Sequence, residues 1–280
     1  MSLQRAQSLA MVCAMLWLVT VSSAFGQAAP QGSEVINTVR EKLLAGEVVI
    51  GGQMTTTDPA IARAMFGSGL DFIWVENQHS PYTYETLANI FMHTRGLPAI
   101  PLIRINEFTE DAAARPLDIG GLGVIFAMTN TRADAEQAVR ICKFPPEGIR
   151  STGGGQDRTV WGNSVRNNDN IMVSVMIETP EGVKNIDEIL SVPGIDLLFI
   201  GNTDLGRFSG LSSSDPQYLA MVDTILAACK RHNVPVGRMC GNNPDTINGY
   251  IDQGYQFLCA GGESGFIRSG VQSMLEGIEK

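Results

Sequence analysis

The chain has 280 residues, with 20 Lys and Arg against 29 Asp and Glu, and 44% of its residues are hydrophobic. This length suits one barrel-sized domain with a full core, and a formal net charge of −9 excludes nucleic acid and anionic lipid as partners. Residues 1–27 hold a single charge, Arg5, then an apolar run over 9–21, then the small residues Ser22, Ser23, Ala24 and Gly26. That is the pattern of an export signal peptide cut between about Ala24 and Ala29, and the run is shorter than the about 20 residues of a spanning helix. A retained anchor is the rival reading. Cleavage removes Arg5 and Cys13, leaving 19 basic against 29 acidic residues, a charge of −10, and four of the five cysteines. The mature domain is expected over 28–280 in the bacterial periplasm, without membrane contact once the leader is gone.

Beyond a linker over 27–32, a helix is predicted from Ser33 or Glu34 to Gly46. Apolar runs of strand-forming residues then recur at 47–53, 70–75, 99–105, 123–127, 172–177, 195–200, 234–239 and 256–259. Amphipathic stretches between them predict helices at 58–67, 84–95, about 109–116, 132–142, 179–191, 215–231, 244–253 and 263–278. Asp58 with Pro59, and Thr179 with Pro180, pair a capping side chain with a proline at the first helical position. Strands alternating with helices in this number predict an α/β fold, a (β/α)8 TIM barrel with an N-terminal helix, whose site lies on the carboxyl-end loops. An open doubly wound sheet competes, but no glycine-rich dinucleotide turn follows the first strand. The interval 144–170 is rich in Gly, Asn, Arg and Pro and has neither helical nor strand period. It is expected to be an interface or lid element, or else a solvated loop. Of Cys142, Cys229, Cys240 and Cys259, only Cys240 and Cys259 sit at the ends of neighbouring strands, where a disulfide is worth testing; otherwise all four are expected as small buried apolar residues.

Glu178 ends the fifth strand and Asp204 follows the sixth, so a right-handed parallel crossover brings both acids to one edge of the sheet. Oxygen ligands, with no His cluster or Cys pair at ligand spacing, suit Mg²⁺ or Mn²⁺ better than zinc. A helix cap or an ion pair would account for either acid alone. His79 follows the second strand, three residues after Glu76, where an imidazole of ordinary pKa about 6.5 suits proton transfer. Arg104 ends the third strand inside an apolar segment. A guanidinium there needs a carboxylate or phosphate, either on a substrate or on Glu76 or Glu178. Arg238, on the seventh strand, would select an acidic or hydroxylated acceptor if it pointed to the mouth. His93 and His232 are expected at the surface. Lys184 lies on a helix and no strand end carries a lysine, which argues against Schiff-base chemistry.

The runs IETPEGVKN and VPGIDLLFIGNTDL, with VENQHSPYTYETL, PLIRIN and PPEGIRS upstream, resemble the HpcH/HpaI aldolase and citrate lyase family over roughly residues 34–270. The resemblance implies a metal-dependent (β/α)8 barrel. It also implies a class II aldolase that cleaves or forms a carbon–carbon bond in a 4-hydroxy-2-oxo acid, giving pyruvate or a close 2-oxo acid and an aldehyde. On it, Glu178 and Asp204 bind Mg²⁺, Mn²⁺ or Co²⁺, and His79, oriented by Glu76, moves the proton. Arg104 holds the 2-oxo acid and stabilises the enolate oxygen, and Asn202, Thr203 and Asp204 contact the substrate. It further implies a homo-oligomer, hexamer or trimer, assembled partly through the last helix. There Phe266, Ile267, Val271, Met274, Leu275 and Ile278 form an apolar stripe that packing on the chain's own barrel explains equally. Met176 replaces the family's usual glutamine, Asn202 stands where a proline is usual, and Glu76 and Gln78 replace an Asp and a Glu. These departures put the acceptor pocket and the tuning of the base in question rather than the core reaction. Two alternatives stay open: an acyl-CoA or citramalyl-type lyase, which needs a basic nucleotide site this acidic chain lacks, and a non-catalytic exported carboxylate-binding protein.

Overall fold

The computed structural model describes residues 36–278. The expected leader over 1–27, and residues 33–35 of the first expected helix, lie outside the described residues. Within them that helix, α1, spans Thr38–Leu44 and not the longer stretch predicted, because Asn37 caps it. The fully buried Asn37 accepts from Arg40 N at 3.0 Å and donates through Nδ2 to the carbonyls of Leu122 (2.9 Å) and Asn170 (3.2 Å). One side chain thus starts the helix and ties it beneath the barrel.

The strands are β1 (Val49–Met54), β2 (Phe72–Glu76), β3 (Ile100–Ile105), β4 (Gly123–Phe126), β5 (Met172–Ile177), β6 (Leu197–Ile200), β7 (Val236–Met239) and β8 (Phe257–Gly262). They pair in chain order, all parallel, and β8 closes on β1. This is the predicted (β/α)8 barrel. The remaining helices are α2 (Pro59–Phe66), α3 (Tyr84–His93), α4 (Glu110–Asp118), α5 (Arg132–Cys142), α6 (Gln156–Trp161), α7 (Pro180–Lys184), α8 (Ile186–Leu190), α9 (Asn202–Ser209), α10 (Pro216–His232), α11 (Pro244–Asp252) and α12 (Glu263–Glu276). Among the described residues no helix is long and apolar enough to cross a membrane.

Side chains alternate between the barrel interior and the helical layer. Val49, Phe72, Trp74, Leu102, Met172, Met176, Phe199, Phe257 and Cys259 pack in an inner cluster, while Met54, Ile73, Val75, Ile103, Ile177, Ile200, Val236 and Leu258 join the outer one. Large inward rings need small neighbours. A Cβ on Gly51 would lie 2.3 Å from the Phe72 ring, which itself stacks on Phe257 at 3.8 Å. Because Glu76, Arg104 and Glu178 share the inward parity of their strands, the pattern that fills the barrel also delivers its charges to the carboxyl rim.

Four expectations change. The interval 144–170 contains α6 and two 3₁₀ turns, Asn163–Arg166 and Asn168–Asn170, elements too short to show a period. Trp161 Nε1 donates to Gly120 O (2.7 Å), Gln156 Nε2 to Ala88 O (2.7 Å) and Ile119 O (3.0 Å), and Val165 packs in the inner cluster. The segment therefore floors the amino end and is no lid over the mouth. The helix predicted over 179–191 breaks into α7 and α8 at Asn185, whose Nδ2 donates to Asn130 O at 2.9 Å. Residues 202–209, for which no element is predicted, form α9. Of the apolar stripe of α12 Phe266 packs on the chain's own barrel, but the rest does not: Ile267 is 56% exposed and Met274 55%, with Val271, Leu275 and Ile278 also open. All four described cysteines are free thiols, and Cys240 Sγ donates to the Cys259 carbonyl at 3.3 Å instead of bridging. Burial pushes the thiols of Cys142, Cys229 and Cys259 up to about 12.

Asn37→Ala removes the cap and strands two buried carbonyls, and should lower unfolding free energy by about 2–4 kcal/mol. Urea titration reads this as a lower midpoint at unchanged slope. A loss below about 0.5 kcal/mol, the range of neutral surface changes, would mean that the floor holds without this residue.

Candidate active site

At the carboxyl rim a cavity of about 230 Å³ brings together Glu178, Asp204, Arg104, His79, Asn202 and Thr203. Glu76, the remaining residue expected there, sits behind Arg104. Met176, singled out from the sequence, lines the cavity too, whereas sequence reasoning missed Gln53, Trp74, Phe199 and Met239. Strand parity was the signal for Gln53, which lies two residues beyond inward Gly51 and four beyond Val49.

Glu178 is 2% exposed, and its Oε1 accepts from Met128 N at 2.8 Å. Met128 has φ of 58°, in the left-handed region that costs a non-glycine residue about 1 kcal/mol or more. The strained turn is what aims that N–H at the carboxylate. On the other side, a Cβ at position 201 would lie 2.4 Å from Glu178 Oε2, so only glycine lets β6 end here. Burial raises the Glu178 carboxyl above its ordinary 4.5; the Met128 N–H opposes this, and Asp204 adds to it by charge and by sharing a hydrogen bond. Asp204 lies in the first turn of α9, whose N-cap Gly201 makes no side-chain bond, so Asp204 is not itself the cap.

Glu76 and Arg104 are register partners across β2 and β3 and form an ion pair of 2.6 Å. Glu76 Oε2 also accepts from Gln53 Nε2 (3.0 Å) and Trp74 Nε1 (3.1 Å), and Oε1 from the backbone N–H groups of Gln78 (3.0 Å) and His79 (3.1 Å). Burial pushes the Glu76 carboxyl up, but Arg104, by charge and hydrogen bond, then Trp74 and the His79 N–H, outweigh it and leave it below 4.5. This corrects the expected orientation of the base: Glu76 fixes the loop backbone before the imidazole and the guanidinium beside it, not the imidazole. His79 is exposed at the rim. Arg104 Nε and Gln78 Oε1 are buried without a partner among the described residues. Arg104 also lies 5.5 Å over the Trp74 ring. Of the other singled-out residues, His93 is exposed, His232 pairs with Asp187 at 2.9 Å, and Arg238 points outward from β7 into the helical layer rather than into the mouth.

Among the described residues no group of three or more His, Cys, Asp and Glu could hold a metal ion, so the chain offers two carboxylates. The donor set still fits a hard dication. A buried acid whose carboxyl is pushed up by burial and by a neighbouring acid gains from a cation between the two, and Mg²⁺ is commonly held by one or two carboxylates with waters and substrate oxygens completing its shell.

A family model for HpcH/HpaI aldolase/citrate lyase matches residues 54–269. A 5-keto-4-deoxy-D-glucarate aldolase of Salmonella arizonae is 28% identical over 250 residues, covering 87% of this chain and 97% of that protein. The solved HpcH/HpaI aldolase from Desulfitobacterium hafniense DCB-2 superposes with a TM-score of 0.75 at 26% identity, over 86% of this chain and 98% of that one. The citrate synthase SbnG gives a TM-score of 0.73 at 26% identity, over 85% and 95%.

A carboxyl whose folded pKa is raised stabilises the fold below its unfolded value, and that contribution fades as pH rises through the raised value. The Tm advantage of the metal-stripped chain over Glu178→Gln should therefore shrink as pH climbs from below 4.5. Mg²⁺ should raise the wild-type Tm more at neutral pH than in acid. Calorimetric scans showing the same Mg²⁺ effect in Glu178→Gln would remove this residue as a ligand.

Proposed function

The chain belongs to the HpcH/HpaI aldolase/citrate lyase family, and from that membership we propose that it is a divalent-metal-dependent, class II aldolase. The bond cleaved or formed is a carbon–carbon bond of a 4-hydroxy-2-oxo acid, giving pyruvate or a close 2-oxo acid and an aldehyde. The observation that carries this reading is the Glu178–Asp204 pair beside Arg104 in a cavity of about 230 Å³, the size for a three-carbon acid. A Mg²⁺ or Mn²⁺ ion held by Glu178 and Asp204, with Co²⁺ as a further option, would supply Lewis acidity at the oxygens of the 2-oxo acid.

The chain's own residues do the rest. Glu76 locks the Arg104 guanidinium at the rim, so positive charge stands where the 2-oxo oxygen gains electrons. In cleavage, the His79 imidazole accepts the 4-hydroxyl proton at a ring nitrogen. The C3–C4 bond breaks, the aldehyde leaves, and the electron pair is delocalised onto the 2-oxo oxygen until C3 takes a proton to give pyruvate. Phe199, Trp74 and Met176 wall the site with apolar surface and limit water at the reacting carbons. Asn202 and Thr203, at the start of α9, meet the substrate beside Asp204.

Pyruvate released from a 4-hydroxy-2-oxo acid with Mg²⁺ or Mn²⁺, and lost with EDTA, tests the proposal. Glu178→Gln and Asp204→Asn should cost turnover about 10²-fold or more with the barrel still folded. His79→Ala should lower kcat by about 10²-fold while leaving pyruvate affinity nearly unchanged. Tight pyruvate binding with no turnover at any metal concentration would turn the reading into that of a carrier.

The uncovered stripe of α12 supports assembly with further copies of this chain, as hexamer or trimer. Sedimentation of Ile267→Asp should show smaller particles; an unchanged species would exclude that face. The leader motif over 1–27 supports export of the mature chain to the periplasm, which the N-terminal sequence of protein from that fraction checks.

A further inference from the structure

Beside the catalytic cavity lies a second, open one of about 510 Å³, and the two share Asn202 and Thr203 as a wall. Arg207, Ser213, Tyr218 and Arg238 supply the rest of its polar lining, and no acid lines it. The half-buried Arg238 guanidinium lies 3.9 Å from the ring centre of Tyr250 on α11 and 5.3 Å from that of Tyr255. It donates to the Tyr255 hydroxyl at 3.3 Å and, with the Asn202 amide turned so that its oxygen faces the guanidinium, to Asn202 Oδ1 at 3.0 Å. None of these partners is an anion.

That sets Arg238 apart. The other described arginines withdrawn from solvent each have a carboxylate in contact: Arg40 with Asp196 (2.7 Å), Arg104 with Glu76 (2.6 Å), Arg150 with Asp118 (2.6 Å) and Arg166 with Asp157 (2.8 Å). Arg238 has none among the described residues, in a chain with 29 acids. A half-buried cation without a countercharge is unfavourable, and aromatic faces offset only part of the loss. Arg207, on the rim of the same cavity, is also without an ion pair among the described residues.

We propose that this cavity is an anion-binding subsite, taking a carboxylate or phosphate group on Arg238, with Arg207 at the rim and the hydroxyls of Thr203, Ser213 and Tyr218 as further donors. Asn202 bonds Arg238 on one side and walls the catalytic cavity on the other. An anion that claims the guanidinium releases the Asn202 amide, so occupancy of the second cavity is felt in the first. The anion is either the remote acidic group of the aldehyde half of the substrate, which rests on the aldolase reading, or a separate small oxyanion.

Calorimetric titration of the full chain with inorganic phosphate tests the subsite without needing turnover, so its result stands apart from the fate of the aldolase reading. Saturable binding is expected, weakened at least about tenfold in Arg238→Met and several-fold in Arg207→Gln. No binding, or equal binding in both variants, overturns the proposal. Near-UV circular dichroism checks that Arg238→Met is folded, and the exposed Arg207→Gln carries the test if it is not. In a second arm, phosphate inhibits condensation of pyruvate with an aldehyde bearing a terminal carboxylate and with a neutral aldehyde. Competition against the acidic aldehyde alone identifies the substrate's remote carboxylate as the natural occupant, and the same inhibition of both identifies a separate anion.

Discussion

Glu178 is a carboxylate almost wholly withdrawn from water with the charge of Asp204 beside it, and much of the rim is arranged around the cost of that burial. Gly201 has no side chain because Glu178 occupies the space one would need. Met128 is held at a positive φ because its N–H is wanted at Glu178 Oε1. α9 begins immediately after β6, so Asp204 arrives in its first turn. Each is a local departure from what the chain would otherwise choose, and all three converge on the same few cubic ångströms.

The third acid at the rim is arranged differently. Glu76 collects an ion pair, two side-chain donors and two backbone donors, and so has no capacity left for a ligand. Its work is to hold positive charge in place beside the Glu178–Asp204 pair. The division separates two acids facing an open cavity from one acid committed to a guanidinium, the pattern expected where environments push like groups apart. Solved chains at 26% identity keep this barrel over nearly their whole length. Of the four departures read in the sequence, Met176 and Asn202 line the cavity, whereas Glu76 and Gln78 do not.

Much of this was legible in the sequence. Apolar runs of strand length gave all eight staves, and their ends pointed to Glu178, Asp204, His79 and Arg104, which line one cavity. What failed was either short or relational. α9 is a polar eight-residue helix with Gly206 inside it, and it begins at Gly201 without the capping side chain that marks the start of most of the predicted helices. α6 and the 3₁₀ turns of the floor are held by side-chain bonds to carbonyls far away in the chain, which no local period reveals. The link from Glu76 to His79 looked natural because the two are three residues apart, yet at a strand end parity counts for more than proximity. Glu76 points inward and meets Arg104 across the register. Gln53 could have been placed by the same parity.

The four thiols of the described chain bear on where such a barrel can work. None is bridged, and burial holds each above the ordinary thiol range, so at neutral pH almost none is thiolate, the form that attacks disulfides and takes up oxidants. The fold has no covalent staple to be made or broken. Among the described residues nothing in the fold requires an oxidase, and the buried thiols offer little to glutathione. An enzyme built this way can change compartment without refashioning its core.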